Sequence, residues 1–139
     1  MTESRIVRVL LAKPGLDTHE TGVKLLTAGL RDAGMEVIYA GVFQESRNIA
    51  RMALEEDVDV VGLSFLNGGH VGLTRGVIDA MKSAGVSDIP VIVGGIIPQA
   101  DITPLQALGV VGIYGPATAI EDVANDIRRL VKERAFSAL

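Results

Sequence analysis

The sequence predicts a single α/β domain on a doubly wound, five-stranded parallel sheet of flavodoxin-like order 2-1-3-4-5. Three observations predict it. Short apolar runs without polar alternation recur along the chain, and such runs suit strands buried on both faces of a parallel sheet. Segments with helical periodicity separate them, and strands alternating with helices imply right-handed crossovers. The 139 residues, 48 % hydrophobic, suffice for one substantial core and leave no room for a second domain, so residues 1–139 read as one unit.

The first strand is expected over Ile6 to Ala12. Val23, Leu26, Leu30 and Ala33 then recur at three- and four-residue steps, predicting a helix that Gly34 stops. Val37 to Val42 reads as the second strand, followed by a crossover helix over 45–56 carrying Ile49, Met52 and Ala53. Val58 to Leu63 is the third strand. The helix over 70–84 places Leu73, Val77, Ile78 and Met81 inward. Ile89 to Val93 is the fourth strand, followed by a short helix over 101–108 with Pro104 in its first turn, where proline is tolerated. Val110 to Tyr114 closes the sheet. The last helix, 118–134, aligns Ile120, Val123, Ile127, Leu130 and Val131 on one face. It gathers Arg128, Arg129, Lys132 and Arg134 near its C-terminus, where the macrodipole favours cations, and its charged face reads as solvated.

Composition removes several function classes. Thirteen basic and 17 acidic residues are mixed along the chain, for a net charge of −4, and the aromatics are three Phe and two Tyr, so neither a cationic stripe nor a stacking platform for nucleic acid is expected. Cysteine is absent, which eliminates disulfides, thiolate metal sites and cysteine nucleophiles. The charged opening lacks the apolar core of a signal peptide, and no uncharged run approaches the roughly 18 residues needed to span a bilayer. A cytoplasmic protein without membrane association is the expectation.

In such sheets ligands sit beyond the carboxyl ends of the strands, at the switch between strands one and three. That directs attention to residues 12–22, 64–70, 94–98 and 114–118. The first loop, Ala12 to Gly22, holds Lys13, Asp17 and His19. Asp17 or Thr18 could cap the next helix, Glu20 suits a first turn, and Gly15 could make the turn. A histidine at a helix start is unfavourable when protonated, which suits a neutral, ligating imidazole. On these grounds alone helix-start residue and metal ligand stand level. Asp17, two residues before His19, could accept the ring N–H opposite a metal-bound nitrogen, and Lys13 could pair with that carboxylate. Zinc would require three or four protein ligands, whereas these loops supply only His70 as a second histidine. A metal carrying its own equatorial ligands, such as corrin-bound cobalt, needs only one. The loop Ser64 to His70 and the pair Gly94-Gly95 are small and open, and with the first loop would line a slot between strands one, three and four.

Competing functions of this fold class fit less well. A phospho-receiver would place aspartate where Ser64 stands and lysine near Tyr114-Gly115-Pro116. Flavin and dinucleotide sites want glycine-rich phosphate loops after the first strand. A triad of Ser64, His19 and Asp17 lacks the Gly-x-Ser-x-Gly elbow and identifiable oxyanion donors.

The series Asp17-Thr18-His19-Glu20-Thr21-Gly22, Ser64-Phe65-Leu66 and Gly94-Gly95 resembles the Asp-x-His-x-x-Gly, Ser-x-Leu and Gly-Gly signature of base-off, histidine-on cobalamin domains, in order and spacing and over nearly the whole chain. Within that family the chain looks most similar to acyl-CoA mutases through Leu11 to Asp17, Arg31 to Tyr39, Glu56 to Val60 and Gly94-Gly95-Ile96-Ile97-Pro98. It departs from their usual Asp-Gly-His-Asp-Arg-Gly at Thr18, Glu20 and Thr21, and from their Pro-Gly-Thr at Pro116-Ala117-Thr118.

The resemblance implies adenosylcobalamin as cofactor and His19 as the axial cobalt ligand in place of the cofactor's dimethylbenzimidazole. Asp17 and Lys13 would continue the relay behind it, and Ser64 would hydrogen-bond the displaced base. Gly22, Leu66, Gly94 and Gly95 would line the tail's path, and Thr118 joins the cofactor-binding set. It also implies a small subunit serving a radical 1,2-rearrangement of an acyl-CoA carbon skeleton, active only with a large (β/α)₈-barrel partner that carries the acyl-CoA site. Methylmalonyl-, isobutyryl- and 2-hydroxyisobutyryl-type substrates all remain open. The alternative is a non-catalytic cobalamin carrier or sensor. His70 is expected to be solvent-exposed or beside the corrin, without a metal role.

Overall fold

The computed structural model describes residues 5–66 and 68–137. Asn67, within the loop from Ser64 to His70, lies outside the described residues. The chain alternates β1 (Arg8–Ala12), α1 (Thr21–Asp32), β2 (Glu36–Tyr39), α2 (Ser46–Glu55), β3 (Val60–Phe65), α3 (His70–Ser83), β4 (Val91–Gly95), α4 (Gln99–Ala107), β5 (Gly112–Tyr114) and α5 (Ile120–Ser137). The five strands form one parallel sheet in the order β2-β1-β3-β4-β5, as the sequence predicts.

Strand side chains alternate between faces, and this divides the core in two. Leu10, Ala12, Val61, Leu63, Phe65, Val91 and Val93 pack beneath α2, α3 and α4 through Ile49, Ala53, Val77, Met81 and Leu105. Val9, Leu11, Val37, Val60 and Ile92 face α1 and α5 through Val23, Leu30, Val123, Ile127 and Leu130. Among the described residues no helix is long and apolar enough to cross a membrane.

Several boundaries differ from expectation, and three of the differences have identifiable reasons. β3 and β4 run two residues further than their apolar runs, because Ser64 pairs with Gly94 and Phe65 with Gly95 in the ladder, and backbone pairing is indifferent to side-chain polarity. α4 starts at Gln99, so Pro104 lies in its interior rather than its first turn. Pro98 occupies the N-cap with an extended ψ of 143°, and its carbonyl accepts from the Asp101 amide at 2.9 Å. Gly34 does stop α1: it takes φ +92°, its amide returns to Arg31 and that of Met35 to Leu30.

Candidate functional site

The residues that carry chemistry lie where β1, β3 and β4 end. After Ala12 the chain stays alongside the segment following β2. Lys13 donates its amide to Gly41, Gly15 donates to Gln44, and Gln44 donates back to Lys13. This pins the start of the first loop and leaves its distal half to reach across β3. Lys13 is fully buried, an expensive place for an ammonium, and its charge is answered by Asp17 Oδ2 at 3.1 Å and the Ser64 carbonyl at 3.2 Å.

Asp17 is buried and sits at the centre of the site. Its Oδ1 accepts from the His19 amide at 3.0 Å and meets His19 Nδ1 at 2.9 Å, while Oδ2 accepts from the Leu66 amide at 2.6 Å. Burial pushes the Asp17 carboxyl up, but the amides of His19 and Leu66 and the side chains of His19 and Lys13 outweigh it. They hold the carboxyl well below the usual carboxylate range. Asp17 is therefore no helix cap: α1 begins at Thr21, its N-cap is Glu20, and no side chain caps it. With Nδ1 directed at a carboxylate, the His19 ring presents Nε2, and its side chain is about half exposed, at 53 %.

The sign of this depression sets an acid limit. A carboxyl whose folded pKa lies below its ordinary 3.8 contributes stability above that value and loses it as pH falls toward the folded pKa. Between roughly pH 5 and pH 2, Asp17→Asn is expected to flatten the fall of unfolding free energy, by up to about 1.4 kcal/mol per pH unit. Urea unfolding across that range measures it, and parallel pH profiles for the two proteins would refute it.

Beside this cluster lies a cavity of about 510 Å³, over the face of the sheet and beneath α1 and α5. It is not between strands but above them, and strand periodicity explains it. The positions of β3 and β4 that face α1 and α5 near their carboxyl ends are Gly62, Ser64 and Gly94, where other strands carry bulk. Its remaining walls include Gly22, Val23 and Leu26 of α1, Ile120 and Val123 of α5, and Tyr114, with Lys13, His19, Leu66, Gly95 and Thr118 also on the lining. The structure thus gathers every residue singled out for this site except Asp17 onto one cavity, and Asp17 bonds both Lys13 and His19 beneath it.

The geometry refines individual roles. Leu66 acts through its backbone amide on Asp17. Gly95 is dictated by the backbone, since it holds φ +123° and a Cβ added there would fall 1.7 Å from the Phe65 carbonyl oxygen. Gly94 is different, since a Cβ there would meet only the Tyr114 oxygen at 3.6 Å, an ordinary contact. The Ser64 hydroxyl lies 3.5 Å from Lys13 Nζ and, among the described residues, makes no hydrogen bond to His19, so no hydrolase triad forms.

His70 is neither solvent-exposed nor beside the cavity. It is buried as the first residue of α3, with its ring tilted on Phe65 at 5.1 Å between centroids and Nδ1 3.2 Å from Asp101 Oδ2. Gly62 and Tyr39 are residues that sequence reading missed, while Tyr114, in the 114–118 segment it pointed to, lines the cavity. Tyr39 donates to Glu20, next to His19, and Tyr114 donates to Asp126; burial first, then these carboxylates, push both phenols up. The alternation of β3 would have singled out Gly62.

The residues fit a cofactor that asks one nitrogen of the protein. Among the described residues no three or more His, Asp or Glu side chains gather as a metal-binding group, so His19 would serve as a lone ligand. The adjoining cavity is lined mainly by apolar walls and small residues, and its volume suits a bulky organic appendage. A wider hollow of about 820 Å³ at the opposite edge contains none of these groups, and four of its charged residues pair with one another, Arg5 with Asp59 and Arg134 with Asp88.

Comparison with known proteins agrees with this geometry. The B12 binding domain family matches residues 7–124. The pivalyl-CoA mutase small subunit of Xanthobacter autotrophicus is 41 % identical over 127 residues, covering 91 % of this chain and 85 % of that protein. The 2-hydroxyisobutanoyl-CoA mutase small subunit of Aquincola tertiaricarbonis is 39 % identical, covering 92 % of this chain and 94 % of that one. Methylmalonyl-CoA mutase of Escherichia coli is 40 % identical over 91 % of this chain, which spans only 18 % of that longer protein. Among solved structures, a cobalamin-binding protein from Desulfitobacterium hafniense superposes with TM-score 0.78 at 23 % identity, over 91 % of this chain and 60 % of its own. The chemotaxis protein CheY4 of Vibrio cholerae superposes at 0.68 with 18 % identity, over 91 % and 99 %. These two likenesses concern the fold alone.

Proposed function

Because the chain belongs to the B12 binding domain family, among the small subunits of acyl-CoA mutases, we propose that it holds adenosylcobalamin base-off with His19 as the axial ligand to cobalt. The observation that carries this reading is the Asp17 carboxylate, which engages His19 Nδ1 and is itself fixed by the Leu66 amide just after β3 and by Lys13 just after β1. A carboxylate in that position selects the tautomer with Nε2 available and raises its basicity. Lys13 balances the carboxylate's charge, so the His19 ring stands in front of a net-neutral pair. Gly22, Ser64, Leu66, Gly94, Gly95 and Thr118 would hold the displaced nucleotide tail, with the Ser64 hydroxyl placed to bond its base. When bound, the cofactor supplies a cobalt–carbon bond that cleaves homolytically to begin radical rearrangement of an acyl-CoA skeleton.

The chain offers no acyl-CoA site of its own in this reading, and a large (β/α)₈-barrel subunit would carry it. The edge around His19 suits such docking, since Leu16, Phe43, Leu66 and Ile96 are exposed there at 85, 56, 38 and 53 %. Substrate choice among methylmalonyl-, isobutyryl- and 2-hydroxyisobutyryl-type thioesters would rest with the partner. A carrier or sensor is the second reading. Against it stands the near-complete coverage of two mutase small subunits.

The deciding experiment is paramagnetic resonance of cob(II)alamin bound to ¹⁵N-labelled protein. The expected result is an axial splitting that changes with the label and disappears in His19→Ala. Splitting that ignores the label, or survives His19→Ala, rules out histidine ligation. Copurification with a large mutase chain that gains activity separates subunit from carrier.

A further inference from the structure

His70 has no part in the site described so far, yet it is a buried imidazole with unusual costs. It is 4 % exposed, and both its Nε2 and the hydroxyl of Thr74, one turn along α3, have no hydrogen-bond partner among the described residues. An unpartnered buried polar atom is destabilising, and leucine would fill this position without that penalty. What the imidazole adds is its other nitrogen. Nδ1 reaches Asp101 Oδ2 in the first turn of α4, and the ring rests on Phe65, the last residue of β3.

The geography of this contact connects it to His19. Phe65 immediately precedes Leu66, whose amide meets Asp17 at 2.6 Å. The Phe65 carbonyl is held from the other side by the Ile96 amide at 3.2 Å. The same first turn of α3 touches the first loop: Leu73 packs against Gly15, where an added Cβ would lie 2.9 Å from its Cδ1. One helical turn thus abuts both segments that set the Asp17 carboxylate, and the 3.2 Å contact of His70 Nδ1 with Asp101 Oδ2 joins that turn to α4.

We propose that His70, through Asp101 and Phe65, is a positioning residue that aims the Leu66 amide at Asp17 and so orients His19. Its importance for ligand binding rests on the cobalamin reading above; its effect on the Leu66 amide does not.

The first readout is hydrogen exchange of backbone amides in the ligand-free protein. Asp101→Ala cuts the link from the partly exposed side and His70→Leu cuts it from the core, so one remains informative if the other fails to fold. Each is expected to accelerate Leu66 exchange about tenfold relative to Leu63 within the same variant, which corrects for global stability. His70→Asn, whose side-chain amide can donate to Asp101 from near the Nδ1 position, is expected to restore most of the protection. If Leu66 accelerates only in step with Leu63, or if Asn behaves as Leu does, the proposal is overturned.

The second readout is cobalamin affinity in a double-mutant cycle. Asp101→Ala should weaken binding about tenfold when His19 is present and less than about twofold in a His19→Ala background. Equal losses in both backgrounds overturn the proposal as well. A wild-type chain that takes up no cobalamin defeats the functional reading instead, and leaves the exchange measurement to decide the role of His70.

Discussion

Gly95→Ala is expected to destabilise the chain by about 3 kcal/mol or more, measured by urea unfolding at neutral pH. Two effects act together. The residue holds φ +123°, a conformation L side chains rarely adopt, and its added Cβ would fall 1.7 Å from the Phe65 carbonyl oxygen. That obstacle is backbone in a central strand, paired in the ladder at Phe65 and Gly95 and bonded to the Ile96 amide, so no rotamer change relieves it. Gly94→Ala is the matched control. Its Cβ meets nothing closer than 3.6 Å, and about 1 kcal/mol or less is expected. Similar losses at the two positions would show that the ends of β3 and β4 yield easily.

Lys13→Met is the second large effect, with an expected loss of about 3–5 kcal/mol. The ammonium is fully buried and donates to both Asp17 and the Ser64 carbonyl, so its removal leaves a buried carboxylate and a carbonyl without that donor. Desolvation makes such a pair weak evidence for net stability, but breaking one half is costly. The double variant Lys13→Met with Asp17→Asn removes the stranded charge. It is expected to recover at least about 1 kcal/mol over Lys13→Met alone. Strict additivity of the two single losses would mean that the pair is not coupled.

The fold is legible because its signals are local. Apolar runs mark all five strands, and the three- and four-residue steps through Val23, Leu30, Val77, Met81, Val123 and Ile127 mark faces that are buried. The errors arise where local pattern and pairing diverge. Ser64 and Gly94 end apolar runs without ending strands, and the weakly patterned α4 begins at Gln99 although the acidic Asp101 suggests a later start. Within the site, Lys13, Asp17 and His19 can be linked on paper because they lie within seven residues. The Leu66 amide cannot, since it reaches Asp17 across 49 residues through the β1–β3 pairing. His70 is misplaced for a similar reason: its burial depends on Phe65 below it and on α4 beside it, and periodicity counts a histidine as polar.

The Asp17 cluster draws its donors from its own loop, Lys13 and His19, and from the turn after β3, Leu66, so it exists only once β1 and β3 have paired. An unfolded chain has no such site to offer. Any ligand that requires it binds the native state alone, and occupancy and folding become linked equilibria. At a free ligand concentration one hundred times the dissociation constant, mass action adds about 2.7 kcal/mol to the apparent stability, so the loaded subunit would outlast the empty one wherever unfolding leads to degradation.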